Sequence, residues 1–285
     1  MRLACGDHSF PLLGHEQVCD LVRMLGFDGL DIGLMGNRSH VRPEVVRRDV
    51  AGWAGRLSER VRGRGLDIAD VFVIPWTEFE VMAPNHPDRE ERRKAAELFA
   101  DMLELTVRLE ARGMTTVPGI AFPGEDRKTS LARACDELSW RVAAAAERGV
   151  QLSIEPHLGS IAADPADALR LVENTPGLTL TLDHGHFVAG GYDERDADPL
   201  IPHTRHLHAR GAVRGRLQAP MGENAIDFER IVTALAQTGY DGWLAVEYVW
   251  VDWERCNECD NLSETILLRD QLRAALQPRM TATGP

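Results

Sequence analysis

A chain of 285 residues carries 32 Lys+Arg against 44 Asp+Glu, a formal net charge of −12, with 44% hydrophobic and 27% charged residues. That balance argues against a nucleic-acid partner or an anionic membrane surface, both of which reward a basic face. The sequence has no apolar run near the roughly 20 residues that span a bilayer, and its length suits a single α/β barrel of about 250 residues.

The pattern alternates strand and helix from end to end. A strand over residues 3–5 opens the chain with no charged n-region or apolar h-region before it, so no secretory signal is expected. A helix over 16–25 and a strand over 29–32 follow. The helix predicted over 43–62 begins with Pro43, a residue suited to a first turn. Next come a strand over 67–74, an amphipathic helix over 88–112, a strand over 115–120 and a helix over 131–148 that stops at Gly149, a C-cap signal. The second half adds strands at 151–155, 178–183, 206–209 and 243–247, with helices at 165–173, 228–238 and 262–276. Several strands are continuous apolar runs, as parallel strands covered on both faces should be. The reading is one α/β domain over residues 1–285, a single (β/α)8 TIM barrel, with 279–285 as a frayed tail. The longest loops, 75–87, 121–128, 210–227 and 248–261, all follow strands and so fall on the rim where such barrels carry their chemistry.

Five cysteines, an odd number, do not read as a disulfide framework, so a reducing cytoplasm is the expected compartment. Cys256 and Cys259 form a C-x-x-C. With no second pair or histidine pair placed to complete a zinc site, they read as loop thiols without a metal role.

Four strands of the second half end in Glu155, Asp183, His208 and Glu247. Singly, each has an ordinary alternative as a helix cap or a solvated polar residue. Together they point to a metal site, because carboxylates buried near one another are costly unless a cation neutralises them. Three carboxylates and one imidazole suit an oxygen-preferring divalent cation, Mn²⁺ or Mg²⁺ first, with Co²⁺ or Zn²⁺ as alternatives.

At these residues the chain resembles the xylose-isomerase-like sugar isomerase/epimerase superfamily of (β/α)8 barrels. The resemblance covers nearly the whole chain and is most specific from Gln151 to Glu247. It implies that Glu155, Asp183, His208 and Glu247 hold the metal and that Glu155 and Glu247 are also the acid/base pair. It further implies that His186, three residues after the aspartate, and Arg214, six after the histidine, hold substrate oxygens. The stretch Pro220–Met221–Gly222–Glu223–Asn224–Ala225–Ile226–Asp227 and the phrase GYDGWLAVEY also resemble the family. The ketose epimerases of the family usually carry a second glutamate where this chain has Ile161, and His157 and His184 are additional imidazoles.

The implied chemistry is proton abstraction beside the carbonyl of a sugar, inosose or hydroxy-keto compound, through an enediolate that the cation stabilises. An isomerase or epimerase is the first reading. A lyase that uses the same enolisation, of the dehydratase or C-glycoside-cleaving type, is the rival. His157 and His184 either line the pocket or hydrogen-bond a ligand. Trp76, Trp250 and Trp253 are candidates for an apolar wall, and His8 faces the same rim. His203 and His206 are assigned to the lead-in and the outward face of strand seven. An abasic-DNA endonuclease is disfavoured by the charge. The expected partner is a small carbohydrate-like molecule, and a homodimer is the default assembly.

Overall fold

The computed structural model describes residues 1–277; the tail expected over 279–285 lies outside them. Eight parallel strands close into a barrel in sequence order: β1 (Arg2–Gly6), β2 (Gly29–Met35), β3 (Asp67–Ile74), β4 (Gly113–Thr116), β5 (Gln151–Ile154), β6 (Thr179–Asp183), β7 (Thr204–Ala209) and β8 (Trp243–Val246). Closure comes from β8 pairing with β1, with Cys5 opposite Val246. The helices α1 (His15–Met24), α2 (Pro43–Val46), α3 (Val50–Arg62), α4 (Arg89–Arg108), α5 (Arg127–Glu147), α6 (Pro165–Glu173), α7 (His184–Ala189), α8 (Phe228–Gln237) and α9 (Asn261–Leu276) lie between strands. Their buried faces, such as Val18 and Val22 of α1 or Ile231 and Leu235 of α8, cover the outer apolar residues of the strands. Among the described residues, no helix is long and apolar enough to cross a membrane.

Aspartates start many of the helices. Asp88, Asp126, Asp164, Asp227 and Asp260 each accept a hydrogen bond from a first-turn backbone N–H of α4, α5, α6, α8 and α9 respectively. A further such cap explains the one break in a predicted helix. Asp49 accepts from Gly52 N at 2.9 Å, so the 43–62 segment stops after α2 and restarts as α3. The strand expected over 115–120 starts at Gly113 and ends at Thr116. Pro118 has no N–H for the ladder, and Gly119 turns the chain with φ +96° beside the Asn85 side chain. The sequence reading did not include α7 or the 3₁₀ segment Glu194–His203.

The barrel interior is polar in its lower layers. His206, expected to face outward, is buried inside with its Nε2 2.8 Å from Asp31 Oδ2. Side chains two apart on a strand share a face, so an inward His208 places His206 inward as well. A bulge in β7, where Leu180 pairs with Thr204 but Thr181 with His206, also turns Arg205 inward. Arg205 donates to Asp70 at 2.9 Å and to Ser153 at 2.6 Å, and Asp70 also accepts from Thr115.

Candidate metal and catalytic centre

The parallel register brings the ends of β5 to β8 to one rim. Asp183 on β6 sits beside His208 on β7, and His208 sits beside Ala245, two residues before Glu247. His208 Nδ1 lies 2.6 Å from Glu155 Oε1 and 3.3 Å from Glu247 Oε2. One donor atom from each of Glu155, His208 and Glu247 falls within 4.8 Å of the others. Asp183 is engaged differently. Its Oδ1 accepts from Gly185 N at 2.7 Å and caps α7, while its Oδ2 accepts from Arg210 Nε at 2.8 Å. The Nη2 of Arg210 also donates to Glu247, so a guanidinium bridges two of the carboxylates.

Partners below and beside the rim orient this group. Asp31 Oδ2 is 3.3 Å from His208 Nε2, which leaves Nδ1 to face the carboxylates. His8 Nε2 lies 2.7 Å from Glu247 Oε1. Asp7 supports this arrangement by pairing with His15 at 3.1 Å and accepting from Gly33 N at 2.9 Å.

The electrostatics are uneven. Burial pushes the Glu155 carboxyl up to about 7, even with His208 beside it. Glu247 is equally buried, but Arg210, His208 and His8 outweigh burial and hold it well below the usual carboxylate range. Burial raises Asp183, with Arg210 opposing. Burial disfavours a charged His208, yet the Glu247 and Glu155 carboxylates hold it well above its ordinary value. Burial also opposes the charged form of His8, which Asp7 and Glu247 nonetheless raise to about 9. A proton on His208 Nδ1 therefore stands between two carboxylates, the place a cation would take.

The trio fits a divalent cation. Two carboxylates and one imidazole are suitable donors, and Glu155 Oε2 is buried without a hydrogen-bond partner. His157 and His186 also approach Glu155, at 3.9 and 3.8 Å from Oε2. His186 Nδ1 accepts from Leu158 N at 3.2 Å, so a neutral ring carries its hydrogen on Nε2 and presents a donor there. His157 Nδ1 donates to Leu158 O at 2.9 Å, which leaves its Nε2 as a lone pair. Burial pushes His157 down to about 4 and His186 well below its ordinary value, so both are neutral at pH 7.

A cavity of about 450 Å³ opens above the floor, and His8, His157, Arg210, Glu247 and Trp253 reach it. Other residues singled out from the sequence lie away from it. Arg214 is exposed, with its guanidinium against Gly191. Trp76 packs beside Gly36 and does not line the cavity. His184 is buried off the cavity with neither ring nitrogen hydrogen-bonded, and burial pushes it down to about 3. Trp250 is exposed. Cys256 and Cys259 are buried free thiols, outside the groups of possible metal ligands among the described residues.

The model of the xylose isomerase-like TIM barrel family matches residues 19–270. The chain belongs to that family. An inosose dehydratase of Bacillus thuringiensis (strain Al Hakam) is 22% identical over 280 residues, spanning 86% of this chain and 87% of its own length. One of Geobacillus thermodenitrificans (strain NG80-2) is 28% identical over 124 residues, which is 36% of this chain and less than half, 42%, of that protein. The fold matches D-psicose 3-epimerase from Clostridium cellulolyticum H10, solved with D-tagatose, with a TM-score of 0.77, 18% identity and coverage of 98% and 100% of the two chains. It also matches the IOLI protein, solved with a zinc atom, with a TM-score of 0.72, 15% identity and coverage of 96% and 98%.

Within this xylose isomerase-like barrel, sequence reasoning missed Arg210, Asp31 and Asp7. Arg210 and Asp31 carried a usable signal. Arg210 stands two residues after His208 and so shares its face, while Asp31 is a carboxylate inside an otherwise apolar strand. Two predictions follow from the electrostatics. Replacing Arg210 with Met leaves Asp183 and Glu247 buried without their cation, so the metal-free variant loses about 3 kcal/mol of stability in a denaturant melt. Added Mn²⁺ should then stabilise the variant more than the wild type; an unchanged metal-free midpoint contradicts the bridge. Metal uptake must also displace protons. The apparent Mn²⁺ affinity, measured by calorimetry, should fall as pH drops through about 7, where Glu155 takes up its proton. A flat profile between pH 8 and 6 contradicts that.

Proposed function

We propose that this chain catalyses enolisation of a polyhydroxylated ketone, a sugar, inosose or hydroxy-keto compound, and acts as an isomerase or epimerase. The observation that carries the reading is the pair of carboxylates, Glu155 and Glu247, converging on His208, with Glu247 reaching the cavity. Glu155, His208 and Glu247 would hold a divalent cation, Mn²⁺ first, and Asp183 would join if Arg210 released it. When bound, the cation polarises the carbonyl and offsets negative charge on the enediolate.

The residues of the chain do the rest. One carboxylate removes the proton next to the carbonyl, and the other, on the far side of His208, returns one. His8 and Arg210 hold Glu247 in a fixed orientation at the cavity floor. His186 is buried off the cavity, with its Nε2–H facing the Glu155 and Asp183 carboxylates, whereas the His157 Nε2 beside it belongs to a residue of the cavity lining and is a neutral acceptor. Arg210 reaches the cavity beside Glu247 and Arg214 does not, so Arg210 takes the oxygen-binding role that the family resemblance implies for Arg214.

A second reading is a lyase of the dehydratase type. His157 favours it, because its Nε2 lone pair beside Glu155 can take up the proton that Glu155 has abstracted and pass it to a departing hydroxyl, which leaves as water. The inosose dehydratases among the relatives point the same way.

The test is incubation of the Mn²⁺-loaded protein in D₂O with free ketoses, inososes and hydroxy-keto acids, followed by NMR and mass spectrometry. The expected result is metal-dependent C–H exchange that Glu247→Gln lowers by about 10²-fold or more. A product of unchanged skeleton mass identifies an isomerase, and loss of water identifies a lyase. A metal-loaded protein that exchanges no proton in any of these compounds contradicts the enolisation reading.

A further inference from the structure

We propose that the cavity holds a subsite for an aryl group attached to the polyhydroxylated substrate, so that the ligand class is an aryl glycoside or its keto form. The polar end of this ligand rests on the enolisation reading; the apolar end stands on separate observations.

The cavity lining is chemically mixed. His8, Arg210 and Glu247 reach it from the metal centre, and Phe79, Ile120, Leu158, Val251 and Trp253 supply apolar surface, with Arg38, Thr77, Glu80 and Glu254 as further polar residues of the lining. A free sugar carries a hydroxyl on nearly every carbon. A hydroxyl laid on the ring faces of Phe79 and Trp253 would lose water and gain no hydrogen bond from them, which favours an apolar group at that spot. A flat apolar group loses nothing in the same place.

The aromatic surface belongs to a stack of rings. His186 and His157 have centroids 3.9 Å apart, and His157 and Trp253 stack at 5.0 Å with 33° between planes. Phe79 meets His157 edge-on at 4.9 Å. The stack runs from the Glu155 carboxylate outward to Trp253, which is half-buried.

Trp253 is held in place. The two residues after it, Glu254 and Arg255, adopt φ of +50° and +59°, a left-handed conformation that non-glycine residues keep only where the surroundings impose it. Gln218 anchors both flanks of the segment. Its Nε2 donates to Val249 O at 2.7 Å and to Cys256 O at 2.6 Å, and its Oε1 accepts from Val249 N at 2.8 Å. A fixed indole next to neutral imidazoles is preorganised for a planar partner.

The experiment compares phenyl β-D-glucopyranoside with methyl β-D-glucopyranoside by calorimetric titration of the Mn²⁺-loaded protein. The phenyl glycoside should bind about 10-fold more tightly. In Trp253→Ala and separately in Phe79→Ala, that preference should shrink towards unity while Mn²⁺ uptake is retained. Two variants are used because either alone could disturb its loop. Equal affinity for the two glycosides, a preference that survives both substitutions, or no binding of the phenyl glycoside at millimolar concentration overturns the proposal. The readout is binding without turnover, so it can succeed where the deuterium exchange fails, or the reverse, and the two readings fall independently.

Discussion

Burial of carboxylates at the floor of the barrel is the constraint on which the rest depends. Glu155, Asp183 and Glu247 are removed from water at the rim, and Asp31 lies buried beneath them. Each uncompensated charge there costs several kcal/mol. Arg210 answers for Asp183 and Glu247, His206 for Asp31, and His8 for the second oxygen of Glu247. Glu155 is left with His208 alone and an unpartnered Oε2, and so its carboxyl is the one pushed up to about 7. The deficit of positive charge is localised, and it lies where a cation would be bound and where the cavity opens.

The fold supplies this geometry cheaply. A closed parallel barrel places the ends of successive strands side by side, so residues far apart in sequence become neighbours without any loop having to carry them. The lower layers, with Asp31 under His208 and Arg205 tied to Asp70, hold the floor from below. The upper loops differ in character. The segment after β8 brings Trp253 over the cavity and is held by the side chain of Gln218. The cavity thus carries an apolar aromatic surface at Phe79 and Trp253 as well as the charged groups His8, Arg210 and Glu247.

Much of the architecture was legible in the sequence because it rests on local signals. Apolar runs gave the strands, and the proline that opens α2 and the glycine after α5 marked helix ends. The helical break at Asp49 and the early end of β4 were not anticipated, since each depends on one capping or turning residue within an otherwise suitable pattern. At the site, strand ends pointed to Glu155, Asp183, His208 and Glu247, and the barrel brings all four to one rim. What the sequence did not reveal is which carboxylate is already occupied. The cap that Asp183 gives α7 is local, but its bond to Arg210 is a contact between elements, and no spacing rule encodes that. The outward assignment of His206 was an error against the strand period itself. Arg214 had the expected spacing, but the chain turns it outward and leaves Arg210 at the cavity.

The most direct test of the account is anomalous diffraction from crystals of the Mn²⁺-loaded protein, collected at the manganese edge. The account predicts one strong peak within coordination distance of Glu155, His208 Nδ1 and Glu247, at the floor of the cavity. A peak at Asp31 and His206, at the cysteine pair, or no peak in a protein saturated with metal would contradict it.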